Sequence, residues 1–213
     1  MTNFIPIFPL GIVVYPNEPV NLHIFEPRYK QLIQECVEQK KYFGIPPVIQ
    51  GEVKEMGTLM EVVEITRLHD DGSMDIKTRG LEVFKILEII RELPDKLYSG
   101  AIVTYPENVV SDARLGVMKE ILAGLRKIFE RLQISKEFSK PDHAINSYDI
   151  AHLVGMTMED EYLLLELNRE LHRQEFIKRH LAKLVPAVTE LEEIKDRIKL
   201  NGHFKDLEGF SFS

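Results

Sequence analysis

The chain has 213 residues, of which 44% are hydrophobic and 29% charged, with a formal net charge of −7. This length and composition are typical of a globular protein of one or two domains and exclude a disordered chain. The single cysteine excludes an internal disulfide and every zinc motif built on cysteine pairs. Residues 1–105 hold 11 basic and 15 acidic side chains and the remainder 16 and 19, so neither half carries a basic tail.

The N-terminus lacks the charged start of a signal peptide, since prolines interrupt its apolar residues and its first basic residue is Arg28. No apolar run approaches the roughly 18 residues that cross a bilayer. We therefore expect a soluble, cytoplasmic protein without a membrane partner, in a reducing compartment that fits the lone cysteine.

Strand and turn signals fill the first half of the chain. Short apolar and β-branched runs predict strands at residues 4–8, 20–25, 52–68, 73–78, 83–90 and 101–105. Asp71-Gly72 lies between two of these runs and tolerates the positive φ angles of a tight hairpin. Short strands with alternating polarity indicate a barrel or a sandwich.

A single helix is predicted among these strands. It begins at Glu26 with Pro27 in the first turn, where a missing N–H has no cost. Its apolar face carries Tyr29, Leu32, Ile33, Cys36 and Val37. On this face we expect Cys36 to be a small core residue rather than a reactive thiol.

From Ser111 onwards, apolar residues recur at steps of three and four positions, which is the period of a helix. One long amphipathic helix is predicted from the spacing of Leu115, Met118, Ile121, Leu122, Leu125, Ile128, Phe129 and Leu132. A polar loop is predicted to follow at residues 135–146.

Two short helices are predicted after this loop. Ser147 can cap a helix that runs through Met156. Thr157 and Asp160 resemble a capping box that opens another helix through Leu167.

The last helix is predicted to begin near Asn168 and to run to Leu200, with a kink at Pro186 and Gly202 just past its end. Part of it carries a heptad spacing: Ile177, Leu181, Leu184, Val188 and Leu191. The spacing favours a stripe packed on the preceding helices over a dimer seam, and it leaves weak self-association through this helix open.

Motifs for catalysis are missing from the sequence. It has no Walker A loop, no G-x-S-x-G elbow and no G-x-G-x-x-G fingerprint. The neighbours Ser135-Lys136 and Ser139-Lys140 lie in a polar loop, which does not supply the buried lysine of a catalytic dyad. No catalytic residue and no cofactor are predicted.

The histidines and acidic residues show no spacing typical of metal ligands. His172 and His180 are too far apart along a helix to share an ion. The turn with Asp70, Asp71 and Asp75 lacks the spacing of a calcium loop. No metal site is predicted.

The segment from Phe8 to Tyr29, FPLGIVVYPNEPVNLHIFEPRY, resembles the opening of the Lon N-terminal substrate-binding domain. The similarity continues through Gly57-Thr58, residues 59–68, Asp71-Gly72 and residues 78–86, TRGLEVFKI. Residues 163–166 and the helix after them resemble the region that precedes the ATPase in full-length Lon proteases. The resemblance covers essentially the whole chain.

This resemblance implies an α+β fold, with a PUA-like β pseudo-barrel and one helix at residues 1–108. An α-helical bundle that ends in a long helix would follow at residues 109–213. The resemblance also implies a non-catalytic module that binds unfolded or degron-bearing polypeptides, as an adaptor or chaperone in protein quality control. The ATPase and Ser–Lys protease domains of Lon have no counterpart in these residues. The resemblance therefore leaves three roles open: delivery of the polypeptide to a separate ATP-dependent protease, an adaptor or chaperone role, or a role unrelated to degradation.

The opening segment allows two interpretations. In the first, its prolines fix turns, and Glu26 and Arg28 form either a local ion pair or a feature of the helix start. Its apolar side chains then fill the core: Phe8, Val14, Leu22 and Phe25. In the second, four side chains line a groove for the polypeptide, because aromatic and Arg groups make sequence-tolerant contacts: Tyr15, His23, Arg28 and Tyr29.

RNA binding is the alternative function, because PUA-like barrels occur in RNA-associated proteins. The negative net charge argues against nucleic acid as a partner, since phosphate binding needs a basic patch. The dense basic group lies on the last helix: Arg169, Arg173, Lys178, Arg179 and Lys183. An enzyme whose site the sequence hides is a third hypothesis. The tail with Phe204, Phe210 and Phe212 either covers a core edge or docks on a partner.

Overall fold

The computed structural model describes residues 2–184, which belong to two compact units, residues 2–106 and residues 107–184. Strands dominate the first unit and helices the second, so the predicted α+β class is confirmed. The predicted domain boundary after residue 108 stays a prediction. The predicted kink at Pro186, the helix end near Leu200 and Gly202, and the phenylalanine-containing tail lie outside the described residues.

The described part of the first unit contains eight strands and one α-helix. In chain order they are β1 (Thr2–Pro6), β2 (Pro19–Ile24), α1 (Pro27–Gln39), β3 (Phe43–Ile45), β4 (Val48–Ile49), β5 (Glu52–Val53), β6 (Met56–Leu68), β7 (Met74–Ile90) and β8 (Gly100–Thr104). The runs predicted at residues 73–78 and 83–90 are one continuous strand, β7. Strands β3 and β4 are not predicted, because two or three residues next to prolines are too few to show a period.

Six of these strands form one antiparallel sheet. Its order is β1-β8-β7-β6-β3, and β2 also pairs with β7. The sheet is open: in the described part of the chain its edge strands β1 and β3 share no ladder, and one isolated parallel bridge joins Ile7 to Gly44. Gly72 has φ +76° in the turn between β6 and β7, which confirms the predicted hairpin.

Helix α1 contributes its apolar face to the main core of this unit. Leu32, Ile33 and Cys36 are buried there together with residues of β2, β6 and β7. Burial raises the pKa of the Cys36 thiol to about 12, so it is the protonated core residue that the sequence predicts. The prediction that Val37 is buried on this face is wrong. Val37 is exposed, because it lies near the C-terminal end of α1 beside a surface groove.

The apolar side chains of the opening segment divide between core and surface. Phe8, Val14 and Leu22 are buried, as the first interpretation predicts. The prediction for Phe25 is wrong, since its side chain is 42% exposed. Phe25 directly follows β2, and its ring lies beside that of His23, on the side opposite the buried residues of the strand.

The described part of the helical unit contains α2 (Leu115–Leu132), α3 (Ser147–Ile150), α4 (Met158–Glu166) and α5 (Glu170–Leu184), with two 3₁₀ turns at Asp142–Ala144 and Ala151–Leu153. Seven of the eight predicted apolar positions of α2 are buried. The exception, Leu115, is the first residue of the helix and is exposed.

The caps of the two short helices agree in part with the sequence. Thr157 caps α4, as predicted, by accepting a hydrogen bond from the Asp160 N–H at 3.2 Å. The prediction of Ser147 as a cap is wrong. Asn146 caps α3 instead, because its side chain accepts from the Tyr148 N–H at 2.9 Å. The Ser147 hydroxyl donates to Glu170 at 2.8 Å.

The apolar stripe of α5 faces its own unit. Ile177, Leu181 and Leu184 are buried, as expected of a stripe that packs on neighbouring helices. The next heptad positions, Val188 and Leu191, lie outside the described residues, and self-association stays a prediction. No helix among residues 2–184 combines the length and the apolar character needed to cross a membrane.

Candidate functional site

Two of the four predicted site residues lie in the core. Tyr15 is 0% exposed and Tyr29 is 3% exposed. The Tyr15 N–H donates to Glu18 Oε2 at 2.8 Å, and the Tyr29 ring stacks on Phe8 with centroids 3.8 Å apart. Burial raises the pKa of Tyr29 above its usual value. Both tyrosine side chains are therefore covered by other residues, and a ligand on the surface would contact those residues instead.

The other two predicted residues, His23 and Arg28, are partly exposed. Arg28 Nη2 lies 2.6 Å from Glu26 Oε2, which confirms the predicted ion pair, and the guanidinium lies 4.6 Å from the centroid of the Tyr29 ring. His23 extends from β2 towards Asp75 on β7. The structure thus brings Arg28 and Tyr29 together, whereas His23 belongs to a different group of side chains. Polypeptide binding by these four residues stays a prediction.

A surface groove runs between the end of α1 and strand β6, and we call it the α1–β6 groove. It encloses about 500 Å³ and is lined by Cys36, Val37, Lys40, Lys41, Tyr42 and residues 61–65. Apolar side chains are exposed on both of its sides. Val37 and Tyr42 lie on one side, and Val63 and Ile65, at 55% and 40% exposure, lie on β6. An exposed apolar patch next to a strand is typical of an interaction surface.

Along this groove, the outer side of the β6 backbone has no strand partner among the described residues. One side of β6 pairs with β7, and the other pairs with β3 only through Thr58, Leu59 and Met60. Among the described residues, no strand pairs with the outer side of residues 62–68. Such an edge presents N–H and C=O groups that a further strand can bind.

The acidic side chains of the groove are paired with basic residues of β7. Glu64 Oε2 lies 3.2 Å from Lys77 Nζ, and Glu61 Oε2 lies 3.1 Å from Arg79 Nη2. These pairs are exposed and add little stability. They nevertheless offset the negative charge of β6, so the groove does not repel an acidic polypeptide.

A second group of polar side chains lies at the hairpin end of the sheet. Asp75 accepts from two imidazoles: His23 Nδ1 lies 2.7 Å from its Oδ1, and His69 Nε2 lies 2.9 Å from its Oδ2. Hydrogen bonds from His23 and His69 lower the pKa of Asp75. The sequence analysis missed this group, because strand pairing brings together residues that are 52 positions apart.

The basic group predicted on the last helix does not form one exposed patch. Arg173 is fully buried beside Glu170 and Tyr148. Arg169 pairs with Asp112 at 2.8 Å, and Lys178 pairs with Glu120. Each of these three charges therefore faces a carboxylate of its own unit, which leaves little of the group for phosphates.

The fold defined by this open sheet and the helical unit is also found in solved structures of Lon N-terminal domains. A Lon N-terminal domain protein from Xanthomonas campestris is similar with a TM-score of 0.59 and 19% identity, over 81% of this chain and 95% of that chain. The N-terminal domain of the Mycobacterium avium complex Lon protease is similar with a TM-score of 0.63 and 15% identity, over 84% and 98%. At these identities the similarity shows the fold alone.

The family is shown by the sequence as well. The family model of the ATP-dependent protease La (LON) substrate-binding domain matches residues 5–197. The chain therefore belongs to the Lon substrate-binding domain family, and the resemblance noted in the sequence is confirmed. Membership identifies it as a substrate-binding module.

A relative among characterised proteins shares part of this domain. A LON peptidase N-terminal domain and RING finger protein of Schizosaccharomyces pombe is 27% identical in an alignment of 105 residues that covers 40% of this chain and 21% of the relative. The match thus spans about a fifth of that protein's length.

Proposed function

We propose that this chain binds unfolded or degron-bearing polypeptides in the α1–β6 groove, without chemistry of its own, and acts as an adaptor or chaperone in protein quality control. Family membership supports the class of ligand. The observation that carries the location is the unpaired edge of β6 beside the exposed side chains of Val37, Tyr42, Val63 and Ile65.

The mode of binding is strand addition. An extended polypeptide hydrogen-bonds to the free N–H and C=O groups of residues 62–68, and its side chains contact the apolar groove. Backbone bonds do not depend on the sequence of the ligand, which suits a module that binds many unfolded proteins. Folded proteins, whose strands are already paired, are poor ligands for such an edge.

A micromolar affinity, about −8 kcal/mol, suffices for transient capture in this groove. A weak ligand is released quickly, as an adaptor requires. A separate ATP-dependent protease is the proposed recipient of the bound polypeptide. In that case, adding the chain to a purified ATP-dependent protease raises its rate of degradation of the bound polypeptide.

The proposal gives a secondary role in polypeptide binding to the four residues predicted from the sequence: Tyr15, His23, Arg28 and Tyr29. Arg28 and His23 are partly exposed, do not line the α1–β6 groove, and add contact surface elsewhere for a bound polypeptide. Tyr15 and Tyr29 support that surface from the core. Alanine at Arg28 is expected to weaken binding less than a change in the groove.

The test is a binding measurement with an unfolded polypeptide that cannot refold. Fluorescence anisotropy follows the binding of labelled, reduced and carboxymethylated α-lactalbumin to wild type and to the double variant V63K/I65K. We expect at least about a tenfold loss of affinity in the variant, because two apolar contacts are removed. The matched control is L87K, since Leu87 is an equally exposed apolar residue of β7 that does not line the groove. Equal affinity for wild type and V63K/I65K would rule out the groove.

A further inference from the structure

Three potential metal ligands meet at the hairpin end of the sheet. His23 lies on β2 and is the register partner of Asp75 on β7, and His69 lies at the end of the β6–β7 hairpin. One ligand atom from each residue lies within 4.8 Å of the other two. All three side chains are between 28% and 39% exposed, so an ion reaches them from solvent.

We propose that His23, His69 and Asp75 form a site for a divalent transition-metal ion, with Zn²⁺ as the preferred ion. Imidazole nitrogens and carboxylate oxygens are zinc ligands, at about 2.0–2.2 Å from the ion. Ligand atoms of a tetrahedral site are then about 3.3 Å apart. The two histidine–Asp75 contacts, at 2.7 and 2.9 Å to different oxygens of the carboxylate, lengthen to that separation by side-chain rotation, and the ligand atoms of His23 and His69 lie within 4.8 Å of each other.

The backbone holds the three ligands in place before any ion binds. Asp75 and His23 lie on paired strands. The His69 N–H donates to the Ser73 carbonyl at 2.8 Å, and the Gly72 N–H donates to the His69 carbonyl at 2.9 Å, which closes the turn. Side chains on fixed elements lose little conformational freedom when an ion binds. This favours an ion-binding site over side chains that lie close together by chance.

The charge and the number of ligands indicate the type of ion. One carboxylate and two neutral imidazoles carry a total charge of −1, which favours a cation. Two imidazoles favour zinc and its transition-metal neighbours over Mg²⁺ and Ca²⁺, which prefer oxygen ligands. Three protein ligands leave a fourth position of the tetrahedron for water. The site is separate from the α1–β6 groove, since none of its three residues lines that groove.

Cobalt is the probe for this site, because Co²⁺ replaces Zn²⁺ and absorbs visible light in tetrahedral coordination. The full chain is freed of metal with a chelator and titrated with Co²⁺, and then with Zn²⁺ as a competitor. We expect one Co²⁺ per chain with tetrahedral absorption bands that Zn²⁺ removes. The variants H23Q, H69Q and D75N are expected to weaken binding by more than about 100-fold, which exceeds the loss typical of second-shell changes.

The control variant is H143Q, which removes an exposed imidazole from the helical unit. It is expected to bind Co²⁺ like wild type. Circular dichroism shows whether each variant is folded. Absence of one-to-one binding by wild type would overturn the proposal whatever the variants do. Binding that survives in folded H23Q and D75N would overturn it as well.

Discussion

Arg173 and Glu170 form an ion pair one turn apart on α5, with side-chain exposures of 0% and 1%. Glu170 Oε1 also accepts from the Ser147 N–H at 2.9 Å and from the Ser147 hydroxyl. Arg173 Nη1 donates to the Leu167 carbonyl at 2.7 Å, and its guanidinium lies 4.2 Å from the centroid of the Tyr148 ring. This network joins α5 to α3 and to the end of α4.

Replacing Arg173 by Met is expected to destabilise the protein by about 3–5 kcal/mol, because it leaves the Glu170 carboxylate buried without its charge partner. Urea unfolding measures the loss. The control is R169A, which removes the pair between Asp112 and an Arg169 side chain that is 53% exposed, and it is expected to cost less than about 1 kcal/mol. Equal losses in the two variants would show that the buried pair contributes no more to stability than the Arg169–Asp112 pair.

Gly80 on β7 approaches the backbone of the opening segment closely. A Cβ at this position would lie 2.3 Å from the Tyr15 carbonyl oxygen, which is backbone and cannot turn away. The Gly80 N–H also donates to the Glu18 carbonyl at 2.9 Å. We expect G80A to lose about 1–3 kcal/mol or more of stability in thermal or urea unfolding.

Gly124 provides the matched control for this change. It lies inside α2, where an added Cβ would meet the nearest atom, Leu181 Cδ1, at an ordinary distance of 3.9 Å. Alanine is a better helix former than glycine, so G124A is expected to gain about 0.5–1 kcal/mol. A stable G80A protein would contradict the close packing of β7 on the opening segment.

Glu35 on α1 links the helix to the segment before β8. Partial burial alone would raise the pKa of this carboxyl, but hydrogen bonds from Lys96 and Tyr98 outweigh that effect and lower it. The two bonds measure 2.8 Å and 2.6 Å to Oε2. The stabilisation is therefore full above the pKa of the unfolded state, about 4.3. It is lost as the pH falls through the lower pKa of the folded state.

The variant E35Q tests this pH dependence. Melting temperatures of wild type and E35Q are compared between pH 7 and pH 3. We expect wild type to melt higher at pH 7 and the difference to shrink below about pH 4. E38Q, which changes an exposed carboxylate of the same helix, should show no such convergence. A constant difference between wild type and E35Q over the whole range would contradict the role of Glu35.

The sequence predicts the secondary-structure elements better than it predicts which residues are exposed. Periodicity identifies β6, β7, α1 and α2 because each is long enough to show its period. The same periodicity places Val37 and Phe25 in the core, since it detects apolar character and not what covers a residue. The family resemblance supplies the class of ligand, but the groove depends on where β3 begins, and β3 is too short to be predicted.

The histidine group illustrates the same limit. His69 and Asp75 are close in sequence, but His23 joins them only through the register of β2 against β7. Spacing along the chain carries no signal for such a meeting. The register of two paired strands depends on which face of each strand is buried, and the sequence alone does not show this.

Hydrogen–deuterium exchange with and without saturating unfolded polypeptide tests strand addition at β6 most directly. Amides of residues 62–68 face no strand on their outer side in the described part of the chain, and a bound strand would protect them. We predict slower exchange in residues 62–68 of wild type, and a smaller change in V63K/I65K at the same polypeptide concentration. Full binding by wild type with unchanged exchange in residues 62–68 would contradict the account.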